Sequence, residues 1–160
     1  ITGIDLADEM LKLGRSNVER AGCSDCITLE LVDAKRMPYV DGTFDAVMSN
    51  SIVHHIPEPR TVLAEMVRVA APGAVIFVRD LLRPESDTEV ARLVALHAGG
   101  CNAHQRQLFD DSLRAALSLT EIRDRIVSLG FAAESVQQTT DRHWTWVATV
   151  PASASPSARC

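Results

Sequence analysis

Two periodicities alternate along the chain. Ile1-Thr2-Gly3-Ile4-Asp5 reads as a strand, and Leu6, Met10, Leu13 and Val18 then recur at near-helical spacing. Asp8 and Glu9 put negative charge at that helix's start, and Gly22 supplies a stop. Ile27, Leu29 and Leu31 alternate with Thr28 and Glu30, the pattern of a strand with one wetter face. Pro38 and Asp41-Gly42 mark a loop before the short apolar run Phe44–Met48. Pro57 and Pro59 precede a helix whose Val62, Leu63, Met66, Val67 and Ala70 share a face, and Pro72-Gly73 ends it. Ala74 to Val78 is apolar without alternation, which predicts a strand covered on both faces. Val90, Leu93, Val94 and His97 share the face of a further helix, broken at Gly99-Gly100. Leu108–Leu117 and Glu121–Leu129 read as two more, and 132–139 with 145–150 as a terminal hairpin.

This alternation predicts an α/β fold: a doubly wound, mostly parallel sheet with a C-terminal antiparallel hairpin. Residues 1–150 form its one domain. Residues 151–160, rich in Ala, Ser and Pro, read as a disordered tail. Ligands in such sheets bind at the carboxyl ends of the strands. Polar residues gather at those ends: Asp5, Asp33, Ser49-Asn50-Ser51, Arg79-Asp80 and the 140–144 turn.

Composition narrows the class of partner. With 21 acidic against 16 basic side chains the net charge is -5, which argues against nucleic acid or an anionic membrane surface as partner. No apolar run reaches the ~20 residues of a membrane span, and no Lys/Arg-led apolar leader is visible. Four cysteines are too few for a disulfide scaffold, so a reducing cytoplasm is the expected location. Cys23-Ser24-Asp25-Cys26 has no second pair at zinc-site spacing and reads as ordinary thiols, with no metal.

Three segments together resemble the class I S-adenosylmethionine-dependent methyltransferases, closest to the ubiquinone/menaquinone-biosynthesis-like branch. They are Gly3-Ile4-Asp5-Leu6 with the helix that follows, Val32-Asp33-Ala34 with Met37–Asp45, and Ser51–Ile56 with Ala71-Pro72-Gly73-Ala74. The resemblance covers residues 1 to 82. It implies a Rossmann-like fold, S-adenosylmethionine as cofactor and a small-molecule acceptor. It implies that Asp5 holds the ribose hydroxyls, that Leu6 packs on the adenine, that Asp33 and the Ala34 amide read the adenine edge, and that Asn50 lines the methionine end. In this family a glycine-rich loop lies ~20 residues before the acidic strand end. Here four residues precede Asp5 and the first residue is not Met, so the chain reads as lacking the family's first strand. That strand sits centrally in the family order 3-2-1-4-5-7-6. Without it the Asp5 strand and the Phe44–Met48 strand would share no neighbour.

On the acceptor side, His55 and Asp80 are the candidates for acid–base work, since imidazole has the right ordinary pKa and adjacent histidines cannot both face one ligand. Arg142, His143 and Trp144 are candidates for holding the substrate, with 81–119 and the 140–144 turn as its pocket. Each has a plainer reading: a helix-start charge for Asp5, a turn former for Asp33, a helix cap for Asn50, a packing role for either histidine, and an ordinary turn at 140–144. Two rival functions share the same sheet class, a degenerate non-catalytic binding module and a nicotinamide-dependent oxidoreductase. An acidic second-strand end serves both nucleotide chemistries, so Asp5 alone does not separate them.

Overall fold

The computed structural model describes residues 1–152 of the 160, so most of the expected tail lies outside the described residues. The element order is β1 (Thr2–Asp5), α1 (Asp8–Arg20), β2 (Thr28–Leu31), β3 (Phe44–Asn50), α2 (Pro59–Val69), β4 (Ala70–Leu81), α3 (Asp87–Ala98), α4 (Ala103–Ala115), α5 (Leu119–Ser128), β5 (Val136–Thr140) and β6 (His143–Thr149). Local chemistry sets the helix ends. Pro59 opens α2, where a missing N–H costs nothing. Capping boxes start α4 (Asn102 with Gln105) and α5 (Ser118 with Glu121), and Ser86 caps α3.

The strands form two sheets. β1 and β2 pair in parallel, and the other sheet runs β3-β4-β6-β5, with β3 parallel to β4 and β6 antiparallel to both of its neighbours. β5 therefore runs with β4, and β6 returns, as the hairpin reading expects. β1 and β3 each have one strand neighbour among the described residues, which agrees with the expectation that they share none.

The main core lies on one face of the larger sheet. Val62, Leu63, Met66 and Val69 of α2 and Ile122 and Ile126 of α5 pack on Ile76 and Val78 of β4 and on Trp144 and Trp146 of β6. A smaller cluster joins Leu81, Val90, Leu93, Leu113 and Ala116 and seats α3 and α4 beyond the end of β4. Arg68 of α2 fixes the loop between β2 and β3 by donating to the Met37 and Tyr39 carbonyls and to the carboxylates of Glu65 and Asp41.

The expectation that β4 is covered on both faces is corrected. Ile76 and Val78 are sealed, but Val75 is 46% and Phe77 37% exposed, and Met48 and Val147 beside them are exposed too. The described helices that pack on this sheet lie on its other face. Among the described residues no helix is long and apolar enough to cross a membrane.

The start of α5 makes a testable contact. Glu121 accepts from Arg83 and from the Ser118 backbone N–H, and these bonds pull its carboxyl down to about 2 from an ordinary 4.5. The folded-state pKa is the lower one, so the contribution is complete above pH 4.5 and fades as pH falls toward 2. The pair is more than a third exposed, which limits it to about 1 kcal/mol. Thermal melts of the native protein and of Glu121→Gln should differ at pH 6 and converge near pH 2, the pKa itself. A difference that persists unchanged at the acid end would contradict the assignment.

Candidate functional site

The carboxyl ends of β3 and β4 carry the densest polar geometry. Asn50 and Arg79 face each other across the ladder, and Asp80 is one step further along β4. Ser51 then turns the chain sharply with φ of 59°, a left-handed conformation that a residue with a side chain adopts only at a cost. Its N–H is held by the Arg79 carbonyl at 2.9 Å. The turn sends a short 3-10 segment, Val53–His55, back over the end of β4.

That return delivers a histidine onto Asp80. His54 Nδ1 lies 2.6 Å from Asp80 Oδ1, with side chains 5% and 1% exposed. The carboxylate also accepts the Val53 N–H at 2.6 Å and the Leu81 N–H at 2.7 Å. The carboxylate is fixed as the acceptor of two backbone N–H groups, so His54 presents Nδ1–H to it and carries its lone pair on Nε2. Nε2 has no partner among the described residues and is not sealed from solvent. The arrangement is that of an oriented imidazole base.

Of the two candidate acid–base residues, Asp80 is thus paired with His54, and His55 is the exposed neighbour. The His55 ring lies against His54, with centroids 3.9 Å apart. Partial desolvation, then the adjacent imidazole, hold its pKa below the ordinary value. The sequence showed two adjacent histidines but not which one the Ser51 turn would place on Asp80.

The turn at 140–144 divides by strand alternation. His143 and Trp144 point to opposite faces of β6, so they cannot wall one pocket together. Trp144 sits across from Asp80 on the covered face and is wholly buried, which corrects its reading as a pocket wall. Its Nε1 and that of Trp146 are the buried side-chain polar atoms without a partner among the described residues. Arg142 is drawn to Asp141 at 3.1 Å and to His97 of α3 at 2.8 Å, tying the turn to that helix. His143 is packed near Arg79, and burial, then the guanidiniums of Arg79 and Arg142, lower its pKa. Within 81–119 there is a cleft of about 390 Å³ between Arg83, Ser86, Asp87 and Arg114. Both of its arginines are already matched by acids, Arg83 by Glu121 and Arg114 by Asp87 and Asp110.

The smaller sheet carries the other predicted residues. Asp5 ends β1, and one of its oxygens accepts the Ala7 N–H at 2.8 Å, leaving the other without a partner among the described residues. Leu6 beside it is 59% exposed. Asp33 accepts the Lys35 N–H at 2.9 Å and approaches the Lys35 ammonium at 3.2 Å, and the backbone bond is the larger cause of its lowered pKa. The turn-former reading of Asp33 therefore holds, whatever else it binds. The Ala34 N–H makes no hydrogen bond among the described residues. No hydrogen bond joins the Asp5 and Asp33 group to the Asp80 and His54 group.

Comparison with known proteins agrees with this architecture. Residues 1–78 match the family model described as a methyltransferase domain. The chain is 37% identical over 78 residues to phosphatidylethanolamine N-methyltransferase of Cereibacter sphaeroides, covering 49% of this chain and 38% of that protein. It is 28% identical over 149 residues to 27-O-demethylrifamycin SV methyltransferase of Amycolatopsis mediterranei, covering 91% of this chain and 51% of the relative. A SAM-dependent methyltransferase from Aquifex aeolicus superposes with a TM-score of 0.65 at 18% identity, over 94% of this chain and 68% of that one. That likeness establishes the fold. The chain spans between about a quarter and a half of the length of the curated relatives it matches.

Proposed function

We infer, from a chain whose residues 1–78 match the family model described as a methyltransferase domain, that the native protein transfers a methyl group from S-adenosylmethionine to a small-molecule acceptor. The residues present fit the cofactor at its nucleoside end. Asp5 has one oxygen anchored by its own backbone and one free for a ribose hydroxyl. Leu6 offers an exposed apolar side chain to a ring, and the Ala34 N–H is unspent. When bound, S-adenosylmethionine supplies an electrophilic sulfonium methyl.

The observation that carries the acceptor half is the Asp80–His54 pair. His54 Nε2 would take the proton from an acceptor O–H or N–H, and the Asp80 carboxylate 2.6 Å away would stabilise the imidazolium so formed, while the bound cofactor would supply the methyl group. Asp80 does not itself need to take the proton. The Ser51 turn and the 3-10 segment position that ring, whose side chain is 5% exposed.

Incubating the native protein with methyl-labelled S-adenosylmethionine and a pool of small metabolites should move label into a low-molecular-weight product, with matching release of the thioether. Asp5→Ala should weaken S-adenosylmethionine binding by about 1–3 kcal/mol, the cost of leaving polar groups unpaired. Calorimetry showing unchanged affinity in a folded variant would remove Asp5 from the ribose. A protein that binds S-adenosylmethionine but never transfers label would instead be the non-catalytic binding module.

A further inference from the structure

One arginine at the rim lacks what the others nearby have. Arg83, Arg92, Arg114 and Arg142 each meet a carboxylate. Arg79, half-buried at the end of β4, meets none among the described residues, and its one side-chain partner is His143 Nδ1 at 3.1 Å. A guanidinium is always a donor, so that nitrogen is the acceptor. Thr140 leads to the same assignment. Its hydroxyl oxygen receives the Arg142 N–H at 3.3 Å, which leaves its own hydrogen for His143 Nδ1 at 2.8 Å. Two donors on Nδ1 fix His143 as the tautomer with its proton on Nε2. That Nε2–H has no partner among the described residues and is not sealed.

The remaining neighbours are neutral. Thr145 lies beside Arg79 in the ladder, and its hydroxyl bonds that of Thr139 at 2.8 Å. Asp80 and Asp141 are committed elsewhere: Asp80, on the opposite face, bonds His54, and Asp141 accepts from Arg142. Thr139 and Thr145 also line a groove of about 320 Å³ that runs away from the rim along the hairpin, with Gln137, Val147 and, at its far end, Glu134. Unspent donors from two adjacent strands, with no carboxylate bonded to them among the described residues, call for an anion.

We propose that Arg79 and His143 seat an oxyanion, a carboxylate or phosphate group, carried by the molecule to be methylated. The assignment to the acceptor rests on the methyl-transfer reading. The seat itself rests only on the geometry of β4, β6 and the 140–143 turn. It narrows the substrate class to acidic small molecules. It also explains why His143 stays neutral: a second cation would repel Arg79 and would forfeit the acceptor at Nδ1.

The test uses inorganic phosphate and acetate as probes on the native protein, with the His143 ring followed by nitrogen-edited NMR. The ring should shift saturably, and Arg79→Gln should weaken the response about tenfold or more, the loss expected for one charge-assisted contact. Arg114→Gln, in the charge-balanced cleft, should titrate like the unsubstituted protein. His143→Gln, followed by anion-induced thermal shift, gives an independent reading should Arg79→Gln fold poorly. An unresponsive ring, or Arg79→Gln titrating like the parent, would overturn the proposal. S-adenosylmethionine affinity is measured on the same samples. If Arg79→Gln weakens it as much as phosphate, the anion belongs to the cofactor and the assignment to the acceptor is overturned. If no variant binds S-adenosylmethionine while phosphate still binds, the methyl-transfer reading fails and the seat stands.

Discussion

His54→Gln is expected to lower turnover of the native protein by about 10²–10⁴-fold, the range for losing a positioned general base. S-adenosylmethionine affinity should hold within about twofold, because His54 acts on the acceptor's proton in the transition state and not on cofactor binding. The expectation follows from geometry. Its Nδ1 is locked to Asp80 at 2.6 Å, so Nε2 is the only atom of the pair free to receive a proton. His55→Gln is the informative companion, since its ring leans on His54 without touching Asp80. It should cost far less. Single-turnover measurements on both variants decide between them, and an equal loss from each would mean that the pair acts by packing.

The largest effect on stability is expected at Asp80. Replacement by Ala leaves the Val53 and Leu81 N–H groups and the buried His54 ring without their acceptor. Leaving buried donors without their acceptor costs about 1–3 kcal/mol for each group. Asp80→Asn keeps one oxygen for the backbone donors and should cost less. It should still lose turnover, because an amide cannot stabilise the imidazolium as a carboxylate does. Urea unfolding with the denaturant slope unchanged is the measurement. A loss under about 1 kcal/mol for Asp80→Ala would mean that this carboxylate is solvated and not the anchor described.

Much of this architecture is legible in the sequence, and the parts that are not have physical reasons. Period and punctuation place α1, α2 and α3, and β3, close to where they lie, because each rests on a cap, a proline or a glycine acting locally. The end of α2 is not so simple. Pro72-Gly73 reads as a break before a strand, yet β4 begins at Ala70 and runs through it, with Gly73 at φ of 84° and its N–H bonded to the Val150 carbonyl. Pairing with a strand over seventy residues away decides that, and no local window contains it. The same holds for Ala74–Val78: an apolar run tells that a strand can be buried, and only packing tells how many faces are.

The site divides in the same way. Asp5, Asp33, Asn50 and Asp80 are visible as strand ends, since the fold class alone makes those positions candidates. The choice of His54 over His55 depends on one left-handed residue, Ser51, with no glycine or asparagine there to announce it. Trp144 looks exposed in a turn-rich stretch, but β6 begins two residues earlier than the sequence suggests, and alternation then sends the indole inward. Arg79 stands out once its neighbours' acid partners are known, which is information about space rather than order along the chain.

The acidic end of β1 is shared by methyl-transfer and nicotinamide-dependent chemistry, so the decisive measurement sets the two cofactors against each other. Isothermal titration of the native protein with S-adenosylmethionine, and separately with nicotinamide adenine dinucleotide, does this directly. Saturable one-to-one binding of S-adenosylmethionine that is weakened in Asp5→Ala, with no heat from the dinucleotide, is the predicted result. Binding of the dinucleotide alone, or of neither, would contradict it.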